Sequence, residues 1–286
     1  MKRLTVCMIF LMLLPQALLA DQTLVVSKVE KEPVTDGNGD DPEWAKAIPI
    51  TTHDKVANID VVLKSLYTDK EIFFLLTFPD EDMSAEHKPL VWNKEAEMYK
   101  TGPERGDCFI FKWNMEAEVL DLSVYADKPY TADIWFWKAG RSNPVGYADD
   151  KQQIFSMSDI PRSVKIISKS GHSFHLSRPG DAGTPAYMAK VPIEYKGDKL
   201  PRFKNCLPSG SRADIRAKGT WQHGIWTIEL RRNLYTGHSD DIQFEPKSVY
   251  QFGVSRYEIG GKKPNPKKHP YGTGDISESL TLKFGT

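Results

Sequence analysis

The chain has few cysteines, no net charge and, beyond its first residues, no long apolar run. Three cysteines occur among 286 residues, and Cys7 lies in the leading apolar segment, so Cys108 and Cys206 are the pair of interest. No C-x-x-C-H is present, which excludes covalent attachment of a c-type haem. G-x-S-x-G, H-E-x-x-H and the P-loop are also missing, and with them three common signatures of hydrolysis and nucleotide binding. Lys and Arg number 38, as do Asp and Glu. A chain so balanced has no general attraction to nucleic acid or to an anionic membrane surface. Of the seven histidines, only His172-x-x-His175 has a metal-like spacing, and a solvated pair is expected there. Helical periodicity is absent after the leading segment.

That segment is itself informative. Met1-Lys2-Arg3 is positive, and the apolar run Leu4–Leu14 of about eleven residues is too short for a bilayer core of roughly 20. Ala17-Leu18-Leu19-Ala20 places small residues before a cut at Asp21. The expectation is a secretory signal over 1–20, then a β-sandwich domain over 21–286 that is exported and has no membrane span. An oxidising compartment permits a disulfide. A Cys108–Cys206 bridge would close a loop of about 97 residues and contribute several kcal/mol; the sequence leaves bridge and separate thiols both open.

Strand signals fill the rest: Thr23–Val29, Ile59–Tyr67, Glu71–Phe78, Asp107–Trp113, Ser163–Ile167, Ala213–Trp221, Ile225–Arg231, Val249–Tyr257 and Glu278–Phe284. They are short, rich in β-branched and aromatic residues, and often alternate. Asp69-Lys70 and Gln222-His223-Gly224 read as hairpin turns. The fold class is all-β, a two-sheet antiparallel β-sandwich. Long irregular loops separate the strands: Pro79–Gly106, Gly140–Pro161, Ser170–Cys206 and the basic Gly260–Gly274. Loops of such length build a site or are disordered. Asp36–Asp41 reads as a turn into Pro42-Glu43-Trp44 rather than a calcium loop, since Ala47 stands where the bidentate Glu belongs. Asp149-Asp150 and Asp240-Asp241 read as turn residues rather than an acid and base, so nothing argues for an enzyme.

The tryptophans carry more. Ala132–Lys138 (ADIWFWK) alternates so that Trp135 and Trp137 share one strand face, with Trp113, Trp221 and Trp226 on other strands. Such a face walls a flat ligand, a porphyrin or a sugar ring, or else fills a core.

The segments VTDGNGDDPEW (34–44), DCFIFKWN (107–114), DIWFWKAGRSNPVGYADD (133–150), AGTPAYM (182–188) and KGTWQHGIWTIELRRN (218–233) resemble, in that order, the ethylbenzene dehydrogenase-related family. That family includes the haem-binding domains of cytochrome c-552 and of dimethyl sulfoxide reductase type II γ-subunits. The resemblance implies a periplasmic, non-catalytic sandwich that holds one non-covalent haem b and transfers electrons. Its partners would be redox proteins, such as a molybdenum oxidoreductase or a multihaem cytochrome. In the cytochrome branch further C-x-x-C-H motifs lie in the interval equivalent to Met115–Thr131. Here that interval has no cysteine, a departure from that branch. In the dehydrogenase branch Met and Lys ligate the iron. The corresponding candidates are Lys218, otherwise a solvated strand residue, and Met115 or Met98, with His269 as a substitute donor. Trp135, Trp137 and Lys138 are the candidate cofactor contacts. A lysine ligand must be neutral, which costs roughly 4–5 kcal/mol at pH 7 for an ordinary amine. The opening Asp36-Gly37…Trp44 pattern is shared with family 9 carbohydrate-binding modules. It keeps a haem-less carbohydrate- or ligand-binding module, with Trp135 and Trp137 as its platform, as the alternative.

Overall fold

The computed structural model describes residues 22–54, 58–256 and 278–285. The leader 1–20, the loop Gly260–Gly274 and His269 lie outside the described residues. The first sheet runs β10 (Val164–Ile167), β11 (Ser173–Ser177), β9 (Asp149–Ser156), β8 (Tyr130–Lys138), β7 (Cys108–Asn114), β17 (Val249–Arg256), β18 (Leu280–Phe284) and β1 (Gln22–Lys28). The second runs β3 (Ile59–Tyr67), β4 (Glu71–Pro79), β16 (Ile225–Asn233) and β15 (Arg216–Gln222), with β2 (Ile50–Asp54) also on β3. Strand β1 belongs to both. Its residues Gln22–Val26 pair with β18 and Ser27 and Lys28 with β3, parallel in each case. The antiparallel expectation therefore holds except at this one shared strand.

Strand alternation builds the core between the sheets. Phe109, Phe111, Trp113, Trp135 and Phe252 enter it from the first sheet, and Leu63, Phe74, Leu76, Ile228 and Leu230 from the second. Strand β4 (EIFFLLTFP) shows a continuous apolar run because both its faces are covered. Phe74, Leu76 and Phe78 face the main core, while Phe73 and Leu75 pack beneath Trp44 of the short 3-10 helix Pro42–Lys46. Both expected hairpins form. Thr68 Oγ1 accepts from the backbone of Lys70 (3.3 Å) and Glu71 (3.2 Å) between β3 and β4. His223-Gly224, with φ of 50° and 80°, makes the mirror-image turn between β15 and β16.

The long stretches are structured. One small sheet joins β13 (Lys199–Leu200), β5 (Leu90–Asn93) and β6 (Met98–Thr101), and another pairs β12 (Tyr187–Ala189) with β14 (Phe203–Asn205). The segment after β7 folds back over the outer face of the first sheet, burying Leu122, Val124 and Tyr130 against Ile110, Ile134 and Phe155. The candidate Cys108–Cys206 disulfide is not made; both residues keep their thiols. Cys108 is held in the ladder opposite Lys138, whereas Cys206 follows β14 in a separate small sheet.

Candidate functional site

Strands β8 and β9 supply the site. Alternation sends Asp133, Trp135 and Trp137 into the sandwich and Phe136 and Lys138 to its outer side. Pairing sets Trp135 opposite Asp150 and Phe136 opposite Asp149, so two adjacent carboxylates reach opposite faces of one sheet. Both are buried. They open a strand, which corrects the reading of Asp149-Asp150 as turn residues; Asp241 is buried as well.

On the inner face Trp135 and Trp137 have 0% exposure. Trp135 packs on Trp113 with ring centroids 5.3 Å apart, and Trp137 on Trp226 at 4.9 Å. Neither indole offers a face to solvent, so these two form core rather than an open platform. A β-carbon on Gly219 would stand 2.5 Å from Cζ2 of Trp137, which explains glycine in Lys218-Gly219-Thr220-Trp221.

Arg232 of β16 closes the Trp135 end. Its guanidinium lies 4.7 Å from the Trp135 ring centre and 5.1 Å from that of Phe244. Nη1 donates to Asp133 Oδ2 at 2.8 Å and lies 3.8 Å from Asp241 Oδ1. The same Asp133 oxygen accepts from Trp135 Nε1 at 3.2 Å and from Ile242 N at 3.1 Å. Asp150 completes a trio with Asp133 and Asp241 whose carboxylate oxygens lie within 4.8 Å of one another. Burial, then repulsion from its neighbours, raises Asp150 well above the carboxylate range. Burial also raises Asp133 against the pull of Arg232, and pushes Asp181 and Asp241 up to about 7. At the opposite end of the aromatic slab Arg256 pairs with Asp80 and sits 3.7 Å from Asp107. Burial and then the Asp80 charge push Asp107 up to about 7.

On the outer face Lys138 is buried. Its Nζ pairs with Asp149 Oδ2 and donates to the Tyr187 hydroxyl at 2.7 Å, which in turn donates to Asp149 at 2.8 Å. The amine lies over the rings of Phe136 (4.0 Å) and Tyr187 (5.0 Å). Burial outweighs Asp149 and lowers Lys138 to about 7; burial also raises Tyr187. An aromatic chain leads onward, with Tyr187 5.3 Å from Phe203 and Phe203 6.1 Å from His87. Arg141 lies over both Tyr187 and Phe203, and Arg202 over Phe203. Burial, then Arg141, lowers His87 to about 2, so its imidazole is neutral. The arrangement gathers an amine near its neutral point, a neutral imidazole, aromatic walls and two guanidinium groups.

Residues 27–263 match the family model described as ethylbenzene dehydrogenase. The chain belongs to the ethylbenzene dehydrogenase family. Among solved structures it is similar to a family 9 carbohydrate-binding module from Caldicellulosiruptor kristjanssonii in complex with cellotriose. The identity is 11%, the TM-score 0.43, and 93% of this chain and 95% of that one are covered. It is also similar to a putative carbohydrate-binding protein from Bacteroides uniformis, at 10% identity and TM-score 0.40, covering 93% and 100%. Likeness this distant carries no ligand from one chain to the other. No curated protein matches the chain in sequence.

Among the described residues the structure sets the iron-ligand candidates Lys218, Met115 and Met98 on or beside separate elements. Lys218 would have to face the sandwich interior to reach a ligand held there. It faces outward instead, because Ala217 and Gly219 take the inward positions of β15, and it stands opposite Glu229 in the ladder. Met115 is half-buried in a cleft of about 390 Å³ with Asn114, Gln243 and Tyr250. Met98 is exposed on β6. His172 bonds Ser170 while His175 pairs with Asp159 at 3.2 Å, so this spacing does not converge on a metal. Local sequence gives little sign that Arg232, Asp181, Asp241, Tyr187 and His87 belong to these clusters. Their contacts are long-range, and only the pairing of Asp240 with Asp241 left a local mark.

Proposed function

We propose that this member of the ethylbenzene dehydrogenase family binds haem b without covalent attachment and passes electrons between protein partners, with no catalysis of its own. Membership over residues 27–263 carries the reading. The axial donors of electron-transfer haems are nitrogen or sulfur atoms. Among the described residues no Met or His is fully buried, and the buried lysines, Lys112 and Lys138, take outward positions of the first sheet, so the aromatic slab supplies no donor. The outer face of β8 has donor chemistry that fits. Lys138 would hold the iron, and His87 offers a second nitrogen. Tyr187 and Phe203 would wall the porphyrin, with Arg141 and Arg202 available to its carboxylates. Bound haem supplies one-electron chemistry between its ferric and ferrous forms. The chain's own task is to exclude water and present a neutral amine. At a pKa of about 7, Lys138 is near half neutral at pH 7, and burial has already met most of the roughly 4–5 kcal/mol that an ordinary lysine requires. Export to the periplasm by the leader, and redox proteins as partners, complete the proposal.

The test is to express the chain with a haem supply, then record the reduced visible spectrum and pyridine haemochrome. A stoichiometric Soret band is expected in the parent and in Lys218→Ala and Met115→Ala, with the low-spin form lost in Lys138→Ala. No Soret band at equimolar haem overturns the reading. One observation favours a second reading, a carbohydrate-binding module: Trp92 lies 4.9 Å from Tyr99 and 5.2 Å from Tyr195, and Tyr195 is 56% exposed. Quenching of tryptophan fluorescence by a soluble oligosaccharide, lost in Trp92→Ala, would select it.

A further inference from the structure

The carboxylate trio at the Arg232 end has no part in haem binding. Asp133, Asp150 and Asp241 are at most 4% exposed; Arg232 lies against Asp133 and Asp241, and His238 lies 3.9 Å from Asp241. Asp133 Oδ1 and both oxygens of Asp150 and of Asp241 find no hydrogen-bond donor. Asp150 is the most telling member. It is 1% exposed, with neither oxygen satisfied, and it stands in a trio whose oxygens come within 4.8 Å of one another. Buried acceptors in native folds nearly always have partners, and a buried carboxylate without one is costly.

We infer that Asp133, Asp150 and Asp241 form a binding site for a hard divalent cation of the calcium class. The donors are all oxygen, which suits calcium rather than zinc. Calcium–oxygen distances of about 2.3–2.6 Å let one ion span oxygens up to about 5 Å apart, whereas magnesium at about 2.0–2.1 Å would require the trio to close. Asp181 bonds Asp150 through the backbone (Asp181 N to Asp150 O, 3.3 Å), its carboxyl lies beside that of Asp150, and one of its oxygens has no donor, so it is a fourth carboxylate next to the trio. Asp241 is the most exposed of the three, at 4%. Asp241 Oδ2 lies 3.9 Å from half-exposed His238, which bonds Asp214 at 2.6 Å. The competing arrangement is a set of protons shared among these carboxylates, for which burial is the cause.

The experiment strips the purified chain with EDTA, removes the chelator, and titrates CaCl2 and then MgCl2 by calorimetry and thermal unfolding. One calcium per chain is expected, with Tm rising by roughly 5–10 °C at a hundredfold excess over Kd. Magnesium should act at least tenfold more weakly. Asp150→Asn and Asp241→Asn should each lose the calcium response. If a variant fails to fold, the parent's own titration decides. No calcium uptake at millimolar concentration overturns the inference in favour of shared protons, and uptake undiminished in both variants overturns the assignment to these residues.

Discussion

Lys138 shows how burial changes one side chain. It shares a proton network with Asp149 and Tyr187 under aromatic rings. Removing one partner of a buried pair leaves the other uncompensated, so Lys138→Met should cost about 3–5 kcal/mol. Lys138→Met with Asp149→Leu should recover most of that loss. Urea titration of the two variants measures the difference. Gly219 is the opposite kind of residue, important for what it lacks. Its missing β-carbon leaves room for the Trp137 ring, and Gly219→Ala should destabilise by about 1–3 kcal/mol through overpacking. Near-ultraviolet circular dichroism should report the displaced indole. The sequence singled out Trp135, Trp137 and Lys138 but not their directions. Adjacent residues on a strand point oppositely, and which side is core depends on the partner sheet.

At the scale of elements, the acidic turn 36–41 illustrates how a local pattern acquires a distant purpose. Its glycines take φ of 87° and 67° at Gly37 and Gly39, conformations that favour glycine. The backbone amides of Asp36 and Gly37 donate to Glu229 Oε2, and Trp44 Nε1 donates to Oε1 at 2.9 Å. Glu229 thereby ties the N-terminal segment to β16. Glu229→Ala leaves three donors without their acceptor and should cost about 2–4 kcal/mol, read as a lower urea midpoint with unchanged slope. The turn itself was legible from Asp36-Gly37 and Gly39-Asp40, and so were the strand pairs β3–β4 and β15–β16, because short-range turn chemistry sets their register. Strands β9, β11 and the two small sheets were not legible. Their sequences are polar or short, and only long-range pairing holds them extended.

Among the described residues the sandwich is two sheets sharing β1, with a buried arginine–carboxylate cluster at each end of one aromatic slab. Asp107, raised by burial and by Asp80 to about 7, retains a proton in the folded chain that the unfolded chain releases near pH 4. Its contribution to stability is therefore full below about pH 4 and is lost as pH rises to about 7, after which it is flat. Asp107→Asn should flatten that limb of the stability–pH curve, as measured by urea midpoints from pH 4.5 to 8. By itself the sequence determined the all-β class, most strand positions and the family, because alternation, turn residues and motif order are local properties of the chain. Tertiary structure alone decided that Asp149 and Asp150 reach opposite faces of one sheet, that Lys138 is buried while Lys218 is not, and that Cys108 and Cys206 stay apart. Those outcomes depend on which faces of which strands meet, and residues up to about a hundred positions apart set them by packing rather than by spacing.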